Sequence, residues 1–181
     1  PVLAPPGLYH VEVGLYYFPT LEPLRTLEGA ERTSFGEIRV RWPQRPDEVP
    51  NRVDTNFDNK VMLLGHDAVP GNVRPGDSLP LRLYWQAVGA IEGDYRIFIH
   101  LMDSQGKVQA QEDIDPARGN YPTSRWEAGE VVVDDHNVLL KEGVPPGQYR
   151  VVVGLYLPAT MQRLPLAAPA VAGTADSTTV G

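Results

Sequence analysis

Pro145-Pro146-Gly147-Gln148-Tyr149-Arg150-Val151-Val152-Val153-Gly154-Leu155-Tyr156 reads as a proline-glycine turn feeding an apolar strand, and the chain contains it twice. The first copy, Pro5-Pro6-Gly7-Leu8-Tyr9-His10-Val11-Glu12-Val13-Gly14-Leu15-Tyr16, stands 140 positions earlier. Thr20 and Leu24 match Thr160 and Leu164, so the likeness runs through a strand, its turn and the start of the next strand. A repeat of this length marks duplicated modules: the chain carries the tail of one repeat and the whole of the next.

Outward from the second copy the same punctuation continues. Short alternating runs are separated by Gly, Pro, Asn and Asp, with 18 Pro and 17 Gly along the 181 residues and no amphipathic helical pattern. In residues 95 to 101, Tyr95, Ile97, Ile99 and Leu101 share one face, and Arg96, Phe98 and His100 the other. Phe98 predicts that the second face is covered too. Residues 79 to 87 place Leu79, Leu81, Leu83 and Trp85 on one face and Arg82, Tyr84 and Gln86 on the opposite one, as a sandwich strand requires. Further strands are expected near 60 to 67, 107 to 113, 130 to 140, 148 to 156 and 161 to 166, with a hairpin turn at Asp103 to Gly106. The fold class is all-β: an immunoglobulin-like or fibronectin-III-like antiparallel β-sandwich over 60 to 181, with an extra N-terminal strand segment.

Residues 1 to 45 read as the C-terminal strands of a preceding repeat, with strands near 8 to 17 and 35 to 42, and the proline-rich polar stretch 46 to 59 as a linker. A lone strand pair is marginal in water, so this piece is expected to add to an edge of the sandwich, making a monomer, or to exchange strands in a dimer. A start inside a repeat suggests a fragment of something longer. No charged-then-apolar leader and no apolar run of about 18 residues is visible, so no membrane span is expected in this piece.

Sixteen Lys and Arg against 23 Asp and Glu give a net charge of −7, which argues against nucleic acid or an anionic bilayer as main partner. The absence of cysteine excludes disulfides, thiolate catalysis and Cys-ligated zinc. Tyr121, Arg125 and Trp126, beside Asn120, have the composition of a sugar-stacking loop, because the C–H face of a pyranose is apolar and its hydroxyls need polar neighbours. The competing reading folds Trp126 back as a cap on the open end of the sandwich. Trp85 is expected in the core; Tyr84 and Trp42 are left open.

Asp103, Glu112, Asp113, Asp115, Asp134 and Asp135 supply oxygens of the type calcium takes, without calcium-loop spacing, so calcium is the only cofactor with any support. Asp134-Asp135-His136 interrupts an apolar run and reads as a bulge or bend in a long strand, with a metal set as the alternative. Ser124 lacks a nucleophile-elbow context, and pairing it with His100 or His136 has no basis in spacing. Glu130 and Asp134 on one strand would stand about 13 Å apart, too far for glycoside hydrolysis. No enzyme is expected.

Three stretches carry a family resemblance: Val73-Arg74-Pro75-Gly76-Asp77 leading to Leu83-Tyr84-Trp85-Gln86-Ala87; Phe98-Ile99-His100-Leu101-Met102-Asp103; and Tyr121-Pro122-Thr123-Ser124-Arg125-Trp126 with Gly129-Glu130. With the Pro-Pro-Gly-x-Tyr repeat they resemble β-sandwich modules of Chloroflexota-type bacteria, C-terminal to multi-pass membrane proteins of the dolichyl-phosphate-mannose mannosyltransferase type. The resemblance implies a non-catalytic domain outside the membrane, at the cell surface, acting as spacer or interaction module. The alternative is a carbohydrate-binding module, with a glycan or another protein as partner.

Overall fold

Alternation along residues 78–87 and 96–102 sets the core. A computed structural model describes residue 4 and residues 6–42, 45–167 and 176–181. The chain divides into two compact units, Pro1–Arg41 and Trp42–Gly181.

In the first unit, β1 (Gly7–Val13), β2 (Tyr16–Tyr17), β3 (Glu22–Pro23) and β4 (Thr33–Val40) form two small antiparallel ladders, β1 with β4 and β2 with β3. Gly14 and Leu15 separate β1 from β2, so the strand expected over 8 to 17 is two strands.

The second unit is a sandwich of two antiparallel sheets. The first sheet is built from β5 (Arg52–Phe57), β6 (Val61–His66), β7 (Ser78–Ala87) and β10 (Val131–Leu139), in the order β10-β7-β6-β5. The second contains β8 (Arg96–Met102), β9 (Val108–Ile114), β11 (Arg150–Leu157), β12 (Gln162–Arg163) and β13 (Thr178–Val180), with β11 between β8 on one side and β12 and β13 on the other. The all-β sandwich expected from the sequence is what the structure shows. Leu79, Leu81, Leu83 and Trp85 are buried, as are Ile97, Ile99 and Leu101 of β8 and Val151, Val153 and Leu155 of β11. Each such side chain contributes about 1.5–3 kcal/mol of burial.

Residues 46–59 are not a linker. Val49 is buried in a cluster with Leu64, Tyr84, Val131 and Val133, and Trp42 and Met62 pack against it. The segment is a strap over the face of the first sheet that Tyr84 shares, and it continues into edge strand β5. Gly65 lies beneath it; a Cβ there would stand 2.5 Å from the Pro50 carbonyl and 2.8 Å from Val49. A polar, proline-rich composition concealed one apolar anchor and a strand.

Residues 168–175 lie outside the described residues, and β13 follows at Thr178. The bulge expected at Asp134-Asp135-His136 is absent: β10 pairs with β7 in unbroken register from Val131 opposite Gln86 to Leu139 opposite Ser78. Register shifts fall in the β1–β4, β5–β6, β6–β7 and β8–β9 pairings instead.

Candidate functional site

Unbroken register has a chemical consequence, because it sends alternate β10 side chains inward. Val132, Asp134, His136 and Val138 are buried on this row while Asp135 is exposed. His136 Nδ1 lies 3.0 Å from Glu112 Oε2, and its Nε2 lies 3.1 Å from Asp134 Oδ2, the latter an oblique ionic contact rather than a linear hydrogen bond. The Ala117 N–H donates to Asp134 Oδ1 at 3.0 Å, and the Asn137 N–H to Glu112 Oε2 at 3.2 Å. Ala117 and Arg118 both hold left-handed backbone angles, φ 50° and 54°, in the turn that delivers this N–H. Burial pushes the His136 pKa down, and the two carboxylates outweigh it, raising the group to about 9. His136 is therefore an imidazolium bridging β10 of one sheet to β9 of the other. Its hydrogen bond holds the Glu112 carboxyl below its ordinary value.

Asp134, Asp135 and His136 do not converge as a metal set. Asp135 turns to the other face and is gripped by Arg82, at 2.6 Å from Nε and 3.1 Å from Nη2. Among the described residues no group of three or more His, Asp or Glu side chains is arranged to hold a metal ion. The remaining acids of the calcium expectation are dispersed. Asp103 caps its hairpin turn by accepting from the Gln105 and Lys107 N–H groups, each at 2.9 Å. Asp115 is paired with Arg96 at 2.8 Å, and Asp113 lies 3.3 Å from the Tyr156 hydroxyl.

The loop that carries Tyr121 and Trp126 is a packed end-cap, as the competing reading of the sequence has it. Tyr121 and Trp126 are both buried, so neither ring face is open to solvent. Their rings stack at 6.5 Å, and Trp42 packs on Tyr121 at 5.4 Å. The Trp126 indole N–H donates to the Tyr121 carbonyl at 3.0 Å, and the Tyr121 hydroxyl to Glu130 Oε2 at 2.7 Å. Thr123 ties this loop to the one before β8: its hydroxyl donates to the Gly93 carbonyl at 2.9 Å and accepts from the Tyr95 N–H at 2.8 Å. Asn120 is half-buried, and Arg125 is exposed at the rim of the cap. Ser124 is exposed, its N–H donating to Asp94 Oδ1 at 3.2 Å, and no histidine joins it.

On the outer face of the second sheet a shallow cavity of about 200 Å³ is lined by Phe98, His100, Arg150, Arg163, Ser177 and neighbouring β13 residues. Arg163 lies over the Phe98 ring at 4.3 Å. Burial lowers the His100 pKa against the opposing pull of Asp113. The volume is below the span of small-molecule sites.

No protein family matches the chain, and no curated protein does. Glu112 is the residue that sequence reasoning missed as a partner of His136. The signal was available: a carboxylate in the inward row Ala110, Glu112, Ile114 and two polar residues in the inward row of β10 are matched interruptions of two apolar faces.

Proposed function

We propose that the chain is a non-catalytic part of a tandem array of β-sandwich modules in a larger protein outside the cell membrane, serving as spacer or interaction domain. The observation that carries this reading is that the repeat is structural as well as textual. Around the first turn, the Leu21 N–H donates to the Tyr17 carbonyl and the Leu24 N–H to the Leu15 carbonyl, both at 2.8 Å. Around the second, the Met161 N–H donates to the Leu157 carbonyl and the Leu164 N–H to the Leu155 carbonyl, again at 2.8 Å. Repeated modules of this kind propagate distance and present surface. The groups with chemical potential are engaged internally: His136 with Glu112 and Asp134, Tyr121 with Glu130, Arg82 with Asp135. No helix among the described residues is long and apolar enough to cross a membrane, so anchoring belongs, in this reading, to another part of the protein.

A glycan-array screen of the chain is the test that separates spacer from carbohydrate-binding module. The spacer reading expects no saccharide to bind. Binding by the wild type, mapped by chemical-shift or exchange footprint to exposed Arg125 and its surroundings, would overturn it in favour of sugar recognition at the rim of the loop.

A further inference from the structure

The two copies of the repeat differ in the burial of their matched side chains. Val153, Leu155, Tyr156 and Leu164 are 0%, 0%, 7% and 4% exposed. Their counterparts at the same places in the first copy, Val13, Leu15, Tyr16 and Leu24, are 47%, 67%, 58% and 57% exposed. Backbone geometry does not account for this. Tyr16 pairs with Pro23 and Tyr17 with Glu22, just as Tyr156 pairs with Arg163 and Leu157 with Gln162. Leu21 and Met161 even hold the same left-handed angle, φ 59° and 58°. What the second copy has in addition is a cover: β11 pairs along its length with β8, and its inward side chains close against the first sheet.

A repeated glycine says what the cover must carry. Gly154 sits opposite Phe98 in the ladder, and a Cβ on it would run into the Phe98 ring and stand 2.8 Å from the Asp176 carbonyl of the returning chain. Gly14 is approached by its own returning chain in the same way, with the Glu31 carbonyl 2.9 Å from an added Cβ. The three heavy atoms nearest such a Cβ belong to Glu31 and Arg32, where at Gly154 the nearest two belong to the Phe98 ring. The first copy keeps the glycine, and the aromatic neighbour that Gly154 has in Phe98 is not among its nearest atoms.

We propose that residues 6–41 are the closing half of a β-sandwich whose occupant is the front half of a module of the same type. That segment is patterned like residues 45–144 and joined ahead of residue 5 as residues 45–144 are joined ahead of residue 145; its β8-type edge strand pairs with β1 and sets an aromatic ring opposite Gly14. The inference rests on the tandem-module reading and adds the partner and the pairing edge. Completing an open sheet edge by a strand with alternating apolar side chains is an established recognition mode, and an open two-strand sheet with an apolar face needs such a partner.

The repeat itself supplies the splice point for the test. Residues 45–144 are fused ahead of residues 5–181, so that Val144 precedes Pro5 as it precedes Pro145, and hydrogen exchange is read over residues 8–24 in the fused chain and in the present one. The expected result is slowing of the 8–24 amides by about 100-fold or more, toward the protection of residues 150–157. Leu15→Asp in the fused chain removes this gain, and so does Phe98→Ala confined to the added half, while residues 150–157 stay protected in both. Unchanged exchange over 8–24 with residues 150–157 still protected overturns the proposal. So does protection of 8–24 that rises with concentration in the unfused chain, which assigns the face to a second copy. The glycan screen, run on the unfused chain, judges the spacer reading separately.

Discussion

His136 keeps a proton that burial alone would remove, and the reason is two carboxylates at about hydrogen-bond distance on either side of the ring. The consequence for stability has a definite sign. A group whose folded pKa is raised from 6.5 to about 9 contributes fully below pH 6.5 and loses that contribution as pH rises through 9. Glu112, held below its ordinary 4.5, contributes above that value and loses it as pH falls. The clamp is therefore strongest between pH 4.5 and 6.5, and the melting temperature of the sandwich is expected to be highest there and to decline toward pH 9. Glu112→Gln should flatten the alkaline limb; an unaltered limb would show that His136 is not the titrating group. Removing one partner outright, as in Asp134→Ala, is expected to cost about 3–5 kcal/mol in chemical denaturation, because the imidazolium is left buried beside a single carboxylate. At Trp126 the same scale of loss is expected for a different reason. Trp126→Ala opens a cavity beneath Tyr121 and should cost about 3–5 kcal/mol, so a wild-type-like denaturation midpoint would return Trp126 to the surface role that its sequence neighbours suggest.

At the scale of elements, β11 depends on the residue it lacks a side chain for. Gly154→Ala pushes a methyl group into Phe98 and the Asp176 carbonyl, and overpacking of that kind costs about 1–3 kcal/mol. Gly154→Ala combined with Phe98→Leu should recover part of the loss if the ring is the obstacle, and a purely additive double mutant would assign the strain to the carbonyl instead. Elements such as β7 and β8 were legible in the sequence because a period of two is a direct image of burial on two faces: Leu79 to Trp85 and Tyr95 to Leu101 need no tertiary information to be placed. Phe98 gave the second cover of β8 in the same way. The strap was not legible, because Val49 is a single apolar residue among prolines and charges and its burial depends on Gly65 lying beneath it. The aromatic loop was ambiguous for a related reason. A tyrosine and a tryptophan beside polar residues have the same composition whether they stack on a sugar or on each other, and it is their burial against one another, in a loop tied down by Thr123, that decides which. At His136 the period was present in the sequence, and the expectation of a bulge hid it.

At the scale of the whole molecule, the two units differ in what holds them. The second has two facing sheets, with Phe57, Trp85, Ile97, Val132 and Leu155 fully buried between them. The first has strand pairs whose apolar side chains, Leu15, Tyr17, Phe18, Leu21 and Phe35 among them, remain exposed. A strand pair without a covered face contributes little beyond its ladder hydrogen bonds, each worth about 1 kcal/mol net, and opens with a small free energy. Native-state hydrogen exchange on the present chain should therefore show two classes: amides of β1 to β4 exchanging by cheap local opening, and amides of β7, β8 and β11 exchanging only near global unfolding. Denaturant should accelerate the second class steeply, since exposing that core uncovers a large surface, and leave the first almost unaffected. If β1 to β4 instead exchanged with the protection and denaturant dependence of β8, their apolar side chains would have to be buried in solution. The contrast between Leu15 and Leu155 would then lose its meaning, and with it the argument that the first repeat is waiting for a front half.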